Sequence, residues 1–318
     1  MKHPARVVPA LLLGSALTLS ACTGEPSAKA GTDSDDQVVT IATQRQPHLF
    51  APYVYEQFAP EGVTIEVVPM ANSTDEMNAV LTGDVDFALM GVPTVISGVA
   101  QGEDITLVAS GADGGSGLIG DPSIASAADL AGKRVGYVPG SSQEIALRLT
   151  LEAAGVDPDA DVELVSLGYA DMADALARGD IDAYAGAEVN TSISLLDGAT
   201  EVASIYDTPI GRVNIGLATS ASLAEEDPAL VQQIVDTHAA AVEHLLQNPD
   251  AWVSGVQEQF SFDEAVLDQA IQNIWLRSDL DGEYLTQVGE LADQMVALGT
   301  IGEAPAAEDV ITTEFVAE

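Results

Sequence analysis

Gly132-Lys-Arg-Val-Gly-Tyr-Val-Pro-Gly-Ser-Ser-Gln-Glu-Ile-Ala146 reads as a buried strand, a glycine turn and a helix start in immediate succession. Residues 134–138 are a short β-rich run, Pro139-Gly140 breaks it, and Ser141 opens a helix whose apolar positions Ile145, Leu147, Leu149 and Leu151 lead to Gly155. A helix start carries unpaired backbone N–H groups and about half a positive charge, so it can hold an anion without any basic side chain. A second reading of the same residues needs no ligand. Ser141 and Glu144 fit the S-x-x-E capping box, in which those groups are satisfied locally.

Strand and helix alternate on both sides of this unit. Further strands are expected at 38–43, 64–68, 87–90, 105–110, 162–166 and 183–185, and helices at 49–58, 73–81, 93–100, 124–131 and 170–178, after which the chain passes through 189–196, 202–205 and 215–219. From residue 228 onward long helices dominate, at 229–246, 250–260, 263–275 and 282–298, and are expected to pack against the first lobe. Such alternation predicts an α/β fold of mostly parallel sheets flanked by helices. The run Gly111-Ala-Asp-Gly-Gly-Ser-Gly117 suits a hinge or a loop close to a ligand.

The chain repeats one local grammar. Ala79-Val-Leu-Thr-Gly-Asp-Val-Asp-Phe-Ala-Leu-Met-Gly91 and Ala175-Leu-Ala-Arg-Gly-Asp-Ile-Asp-Ala-Tyr-Ala-Gly186 each run from a helix end through a Gly cap and Asp-apolar-Asp into a short strand with a small-residue exit. Ligands of open α/β sheets bind beyond the carboxyl ends of strands, so the exits Gly91-Val92 and Gly186-Ala187-Glu188 would face each other if each lobe carries one copy. The alternative is a common helix-to-strand connection used twice.

Residues 1–21 read as a targeting segment: Lys2 and Arg6 form a basic start, and 7–19 is an apolar run too short to span a bilayer comfortably. Leu19-Ser20-Ala21-Cys22 resembles the bacterial lipobox, which implies cleavage before Cys22 and a diacylglycerol anchor on its sulfur. The alternative is an ordinary secreted protein with a chance cysteine. Cys22 is the only cysteine of the chain, so no internal disulfide and no cysteine-based metal site can form. Residues 22–37 are small, polar and acidic, as a flexible tether would be. The remaining residues, 38–318, suffice for two lobes.

Ten Lys and Arg stand against 50 Asp and Glu, a net charge of −40, and loss of Lys2 and Arg6 with the signal peptide would make it −42. Such a surface repels nucleic acid and offers no basic binding stripe. It says nothing about a small anion held by backbone dipoles inside a cleft.

The chain resembles the substrate-binding proteins of bacterial ABC importers, in the branch for aliphatic sulfonates, taurine, nitrate and the pyrimidine precursor of thiamine. The resemblance covers roughly residues 38–253. Gly83-Asp84-Val85-Asp86 paired with Gly179-Asp180-Ile181-Asp182 carries it, with Asp129-Leu-Ala-Gly-Lys-Arg-Val-Gly136 followed by Pro139-Gly140-Ser141-Ser142, and Asn248-Pro249 after a long helix. Glu188 sits where that branch often has Glu-Pro, although Val189 follows it here and Gly186-Ala187 stand in place of the Trp often found before it. The resemblance implies a two-lobed type II periplasmic-binding-protein fold with two crossovers. Lobe one would comprise 38–116 and 213–318, and lobe two 117–212. It further implies a monomeric lipoprotein outside the cytoplasm, closing on a small ligand and serving an ABC permease with its ATPase.

On that basis the expected ligand contacts are Gln44, Arg45 and His48 from the first loop, Gly91 and Val92, Ser110 and Gly111, Ser141 and Ser142, Tyr169, and Glu188. Arg45 would pair with a ligand anion or form a surface salt bridge. A carboxylate at Glu188 would favour a ligand that also carries an amine or amide. An enzyme would need Ser141 or Ser142 beside a histidine, yet His238 and His244 share one late helix and only His48 lies in an expected cleft loop. No Walker A, metal-ligand spacing or dinucleotide fingerprint appears, so no cofactor, metal or catalytic residue is expected.

Overall fold

A computed structural model describes residues 37–316. The expected signal peptide, Cys22 and all of the expected tether except Gln37 lie outside the described residues. No described helix is long and apolar enough to cross a membrane.

The first sheet opens with β1 (Gln37–Gln44), β2 (Val63–Met70) and β3 (Phe87–Gly91), with α1 (Ser73–Thr82) between the last two. Next come α2 (Val92–Ala100) and β4 (Thr106–Gly114), after which β5 (Ser116–Gly120) starts the second sheet. That sheet continues through β6 (Arg134–Tyr137), α3 (Ser142–Ala153), β7 (Glu163–Ser166), α4 (Met172–Arg178), β8 (Ala183–Ala187), α5 (Asn190–Leu196) and β9 (Thr200–Ala203). The chain then re-enters the first sheet as β10 (Val213–Thr219). The C-terminal elements are α6 (Ala221–Glu226), α7 (Pro228–Gln247), α8 (Pro249–Phe260), α9 (Glu264–Ala270), β11 (Ile274–Leu276), α10 (Gly282–Ala297) and α11 (Ala307–Val310).

The sheet orders are β11-β4-β10-β3-β1-β2 and β7-β6-β8-β5-β9. One plan is built twice: β2-β1-β3 and β7-β6-β8 are parallel trios, each flanked by an antiparallel strand that arrives from the other sheet, β10 or β5. Four of the nine pairings are parallel and five antiparallel, so the sheets are mixed where alternation predicted mostly parallel ones. The cause is the crossing itself, because a strand that runs directly from one sheet into the other enters against the local direction.

The repeated Gly-Asp-apolar-Asp has a mechanical role. Gly83 and Gly179, at φ 73° and 72°, adopt the left-handed conformation that ends α1 and α4. The second Asp of each motif then clasps the neighbouring parallel strand. Asp86 Oδ2 accepts from the Thr40 N–H at 2.7 Å and its hydroxyl at 2.8 Å, and Asp182 Oδ2 accepts from the Arg134 N–H at 2.8 Å.

Both faces of the first sheet are covered. Ala88 and Met90 of β3 pack with Tyr284, Val288 and Leu291 of α10, whereas Phe87 and Leu89 pack with Val231, Ile234 and Val235 of α7. That explains why these strands read as unbroken apolar runs.

Three local expectations need correction. The helix expected at 49–58 is a pair of 3-10 segments, Pro47–Leu49 and Ala51–Gln57. Three residues per turn places Phe50 over Tyr53, with ring centroids 5.6 Å apart and 13° between planes. The helix expected at 263–275 stops early, and its end forms β11, pairing antiparallel with β4. The glycine run at 111–117 is strand except at one turn. Gly114 and Gly115 take φ 75° and 68° there, and a Cβ at Gly114 would sit 2.6 Å from the Asn273 carbonyl oxygen.

Candidate functional site

A cavity of about 420 Å³ lies at the carboxyl ends of both parallel trios. The loop after β1 supplies Gln44, Gln46 and His48, the loop after β2 Asn72 to Asp75, and the exit of β3 Gly91, Pro93 and Thr94. From the second sheet come residues 138–143 after β6, and Gly168 and Tyr169 after β7. Asn214 and Ile215, at the start of β10, close the wall between the sheets.

Three helix starts converge here, those of α1, α2 and α3. Asn72 Oδ1 caps α1 by accepting from the Asp75 N–H at 3.0 Å. Ser141 Oγ caps α3 by accepting from the Glu144 N–H at 3.1 Å, while the Glu144 carboxylate accepts from the Gly140 N–H at 2.7 Å. The capping box is therefore present, displaced by one residue from its usual form. It leaves the Ser142 and Gln143 N–H groups without a partner among the described residues, and those of Ser73 and Thr74 likewise. The two readings of the Ser141 helix start thus coexist. The cap satisfies the third N–H, and the first two remain available at the cavity wall.

Behind these donors stands a buried polar lattice joining the sheets. Tyr169 donates to Gln143 Oε1 at 2.7 Å, Gln143 Nε2 donates to Ser116 Oγ at 2.7 Å, and Ser142 Oγ donates to Asn214 Oδ1 at 2.9 Å. Asn214 Nδ2 in turn donates to the Gly114 carbonyl at 2.6 Å. In the first sheet, Gln44 Nε2 donates to Ser73 Oγ at 3.2 Å and to Glu76 Oε2 at 2.9 Å. Glu76 is fully buried, and burial raises its carboxyl from 4.5 to about 8, so it is largely protonated at neutral pH. Burial also lowers His48 to about 3, which leaves its ring neutral. Asp75, an exposed rim residue, is the only acid lining the cavity, and no Lys or Arg lines it.

Six of the expected contacts, Gln44, His48, Gly91, Ser141, Ser142 and Tyr169, do line this cavity. Five do not. Arg45 is exposed and neither faces the cavity nor forms a salt bridge among the described residues, because its guanidinium lies over Phe260, 5.6 Å from the ring centroid. Val92 is fully buried in the core at the start of α2 and does not line the cavity. Ser110 is occupied inside the lobe: its hydroxyl donates to the Asp279 carbonyl and its own carbonyl bonds His238 Nε2. Gly111 is packed so tightly that a Cβ would lie 2.7 Å from Leu89 Cδ1. Glu188 points into a second cavity, where Ser192 N–H and Asn273 Nδ2 donate to it. Gly186 likewise does not line the cavity that Gly91 lines, and Met172 and Tyr184 crowd it.

Asn72, Ser73, Thr94, Gln143 and Asn214 line the cavity and were missed. The first two carried a signal, since an Asx cap follows β2 just as a Ser cap follows β6. Asn214 is the one amide in an apolar strand, buried to 3% exposure. The hydroxyls of Ser141 and Ser142 donate to the Val138 carbonyl and to Asn214, not to a histidine. No cluster of three or more potential metal ligands occurs among the described residues.

Two α/β lobes of one plan, crossed by strands and enclosing a polar cavity at their strand ends, define the two-lobed type II binding-protein fold. The alkanesulfonate-binding protein SsuA of Xanthomonas axonopodis pv. citri, solved with MOPS, superposes with a TM-score of 0.76 at 19% identity, over 87% of this chain and 98% of that one. Residues 55–252 match the family described as NMT1/THI5 like, more than half of the chain, and the chain belongs to that family. A formylaminopyrimidine-binding protein of Halalkalibacterium halodurans is 28% identical over 183 residues, and the match spans only 54% of each chain. The fold also houses catalysis: the desulfurization enzyme DSZB superposes with a TM-score of 0.66 at 20% identity, over 88% of this chain and 97% of that one.

Proposed function

We propose that this protein is the extracytoplasmic solute-binding component of an ABC import system. It takes one small organic ion, a sulfonate, taurine or similar, into the cleft and delivers it to the membrane permease and its ATPase. The observation that carries this reading is the cavity itself. Its size suits a small organic molecule, and its walls, contributed by both lobes, present unpaired N–H groups and neutral amides and hydroxyls with no cation. A solute touching both walls favours the closed arrangement, and its differential affinity for open and closed forms sets how far the population shifts. Nothing in this reading requires covalent chemistry, and Cys22 would hold the protein, as a monomer, at the membrane surface through its lipid.

Placing Glu188 outside this cavity removes the carboxylate that would have selected an amine. A second reading, an aminopyrimidine of the thiamine-precursor type, draws on the amides of Gln44, Gln46, Gln143 and Asn214 and on the kinship with the formylaminopyrimidine-binding protein. Titration calorimetry against alkanesulfonates, taurine, aminopyrimidines and nitrate separates the two. Tight binding confined to sulfonates supports the first reading, and tight binding confined to pyrimidines the second. Failure of every member to bind refutes both.

A further inference from the structure

A second cavity, of about 240 Å³, shares no lining residue with the first. Glu188, Thr191 and Ser192 form one wall at the end of β8 and the start of α5, and Gln269 of α9 with Gln272 and Asn273 just before β11 form the other. The two walls belong to elements of different sheets, so the cavity spans the junction of the lobes.

Its chemistry is that of an incomplete ion pair. Glu188 is 3% exposed, and its carboxylate receives only two neutral donors, the Ser192 N–H and Asn273 Nδ2, each at 3.1 Å. Among the described residues no Lys, Arg or His forms a salt bridge with it. A buried carboxylate without a cation is costly, which is why such groups are paired or hold metals. Beside it the hydroxyls of Thr191 and Ser192, residues each 1% exposed, are buried without any hydrogen-bond partner. Buried polar atoms are rarely left so. A carboxylate, two free hydroxyls and the amide oxygens of Gln269 and Gln272 make an all-oxygen donor set, the choice of hard cations. Glu201 also lines the cavity but is exposed to solvent, so Glu188 is its one buried carboxylate and balances a single positive charge.

We infer that this second cavity is a binding site for one small monovalent cation, an alkali metal ion or ammonium, coordinated by Glu188, Thr191 and Ser192 and fastening the two lobes together behind the cleft. The strongly acidic surface supplies such ions at raised local concentration. The site stands whether or not the first cavity takes a solute.

Thermal unfolding tests it directly, with choline chloride exchanged for NaCl, KCl or NH4Cl at constant ionic strength and no solute present. For at least one of these cations the melting temperature should rise by about 3 °C or more between about 1 and 100 mM, and Glu188→Gln should abolish the rise. Equal rises in both proteins would mean screening of the acidic surface and would overturn the site, as would no rise with any cation. Should Glu188→Gln fail to fold, Thr191→Val with Ser192→Ala keeps the carboxylate and removes the two free hydroxyls. Its half-saturating cation concentration should rise about tenfold, the loss of roughly one good ligand contact. An unchanged midpoint in that variant would also overturn the proposal.

Discussion

Glu76 offers the sharpest test of the polar lattice behind the cleft. It is fully buried on α1, its Oε2 accepts from Gln44 Nε2 at 2.9 Å, and its Oε1 has no partner. Burial is the largest influence on its carboxyl, raising it from 4.5 to about 8, against the lesser lowering by Gln44 and Ser73. The sign follows from linkage. Between those two values the unfolded chain has released a proton that the fold retains, so stability is highest below 4.5 and falls as pH rises towards 8. The loss is on the order of 5 kcal/mol across the whole window and about 3 kcal/mol at pH 7, a large part of the stability of an ordinary domain. Glu76→Gln keeps the shape and the acceptor for Gln44 and removes the titration. Guanidinium unfolding at pH 5, 7 and 9 should therefore give nearly equal stabilities for the two proteins at pH 5 and a variant several kcal/mol more stable at pH 9. Shifts of other groups cancel in the difference. Parallel profiles, or a variant that loses ground at alkaline pH, would refute the placement of a protonated carboxyl behind Gln44.

Other perturbations address the cleft, the crossing and the anchor. Ser142→Asp sets a negative charge against Asn214 Oδ1 and at the free N–H groups of α3, and should weaken binding of the sulfonate or pyrimidine identified by calorimetry by about 2 kcal/mol or more; unchanged affinity in a folded variant removes Ser142 from the site. Gly114→Ala meets both a φ of 75° and the Asn273 carbonyl 2.6 Å from the new Cβ, and should cost about 2 kcal/mol or more by chemical denaturation; an unaltered midpoint would contradict the turn described here. Cys22→Ala should shift the protein from the membrane fraction to the soluble one while leaving cleft affinity intact; a large affinity loss would tie the N-terminal segment to the lobes.

Much of the fold is legible in the sequence because the relevant signals are local. The caps at Ser141, Gly83 and Gly179 and the apolar strands follow from short-range chemistry, and the structure places elements where that chemistry puts them. What stayed hidden depends on partners distant in sequence. Residues 274 and 275 read as helix because their pairing with β4 is invisible until the chain folds. Arg45 looked like a ligand for anions because nothing local announces Phe260. Ser110 and Gly111 suited a cleft loop by composition, yet the one is held by Asp279 and His238 and the other by Leu89. Asn214 escaped notice because an amide within an apolar strand is informative only once Ser142 and Gly114 are seen beside it.

The twice-used plan accounts for where the two cavities fall. At the exits of β1 and β6, and again at those of β2 and β7, equivalent positions of the two lobes line the same cavity, as the shared strand order requires. The copies diverge at the third strand. After β3 the chain passes through Gly91, whose N–H donates to Ser73 Oγ at 2.9 Å, and α2 begins in the cavity wall. After β8 it passes through Ala187 and Glu188 instead, and the carboxylate turns towards Asn273. Asn273 belongs to the C-terminal segment between α9 and β11, an addition to the first lobe that has no counterpart in the second. That addition provides the opposing wall that Glu188 meets. The symmetry of the lobes thus builds a cation-free cleft walled by helix-start N–H groups, and its one interruption by a C-terminal element builds the acidic cavity.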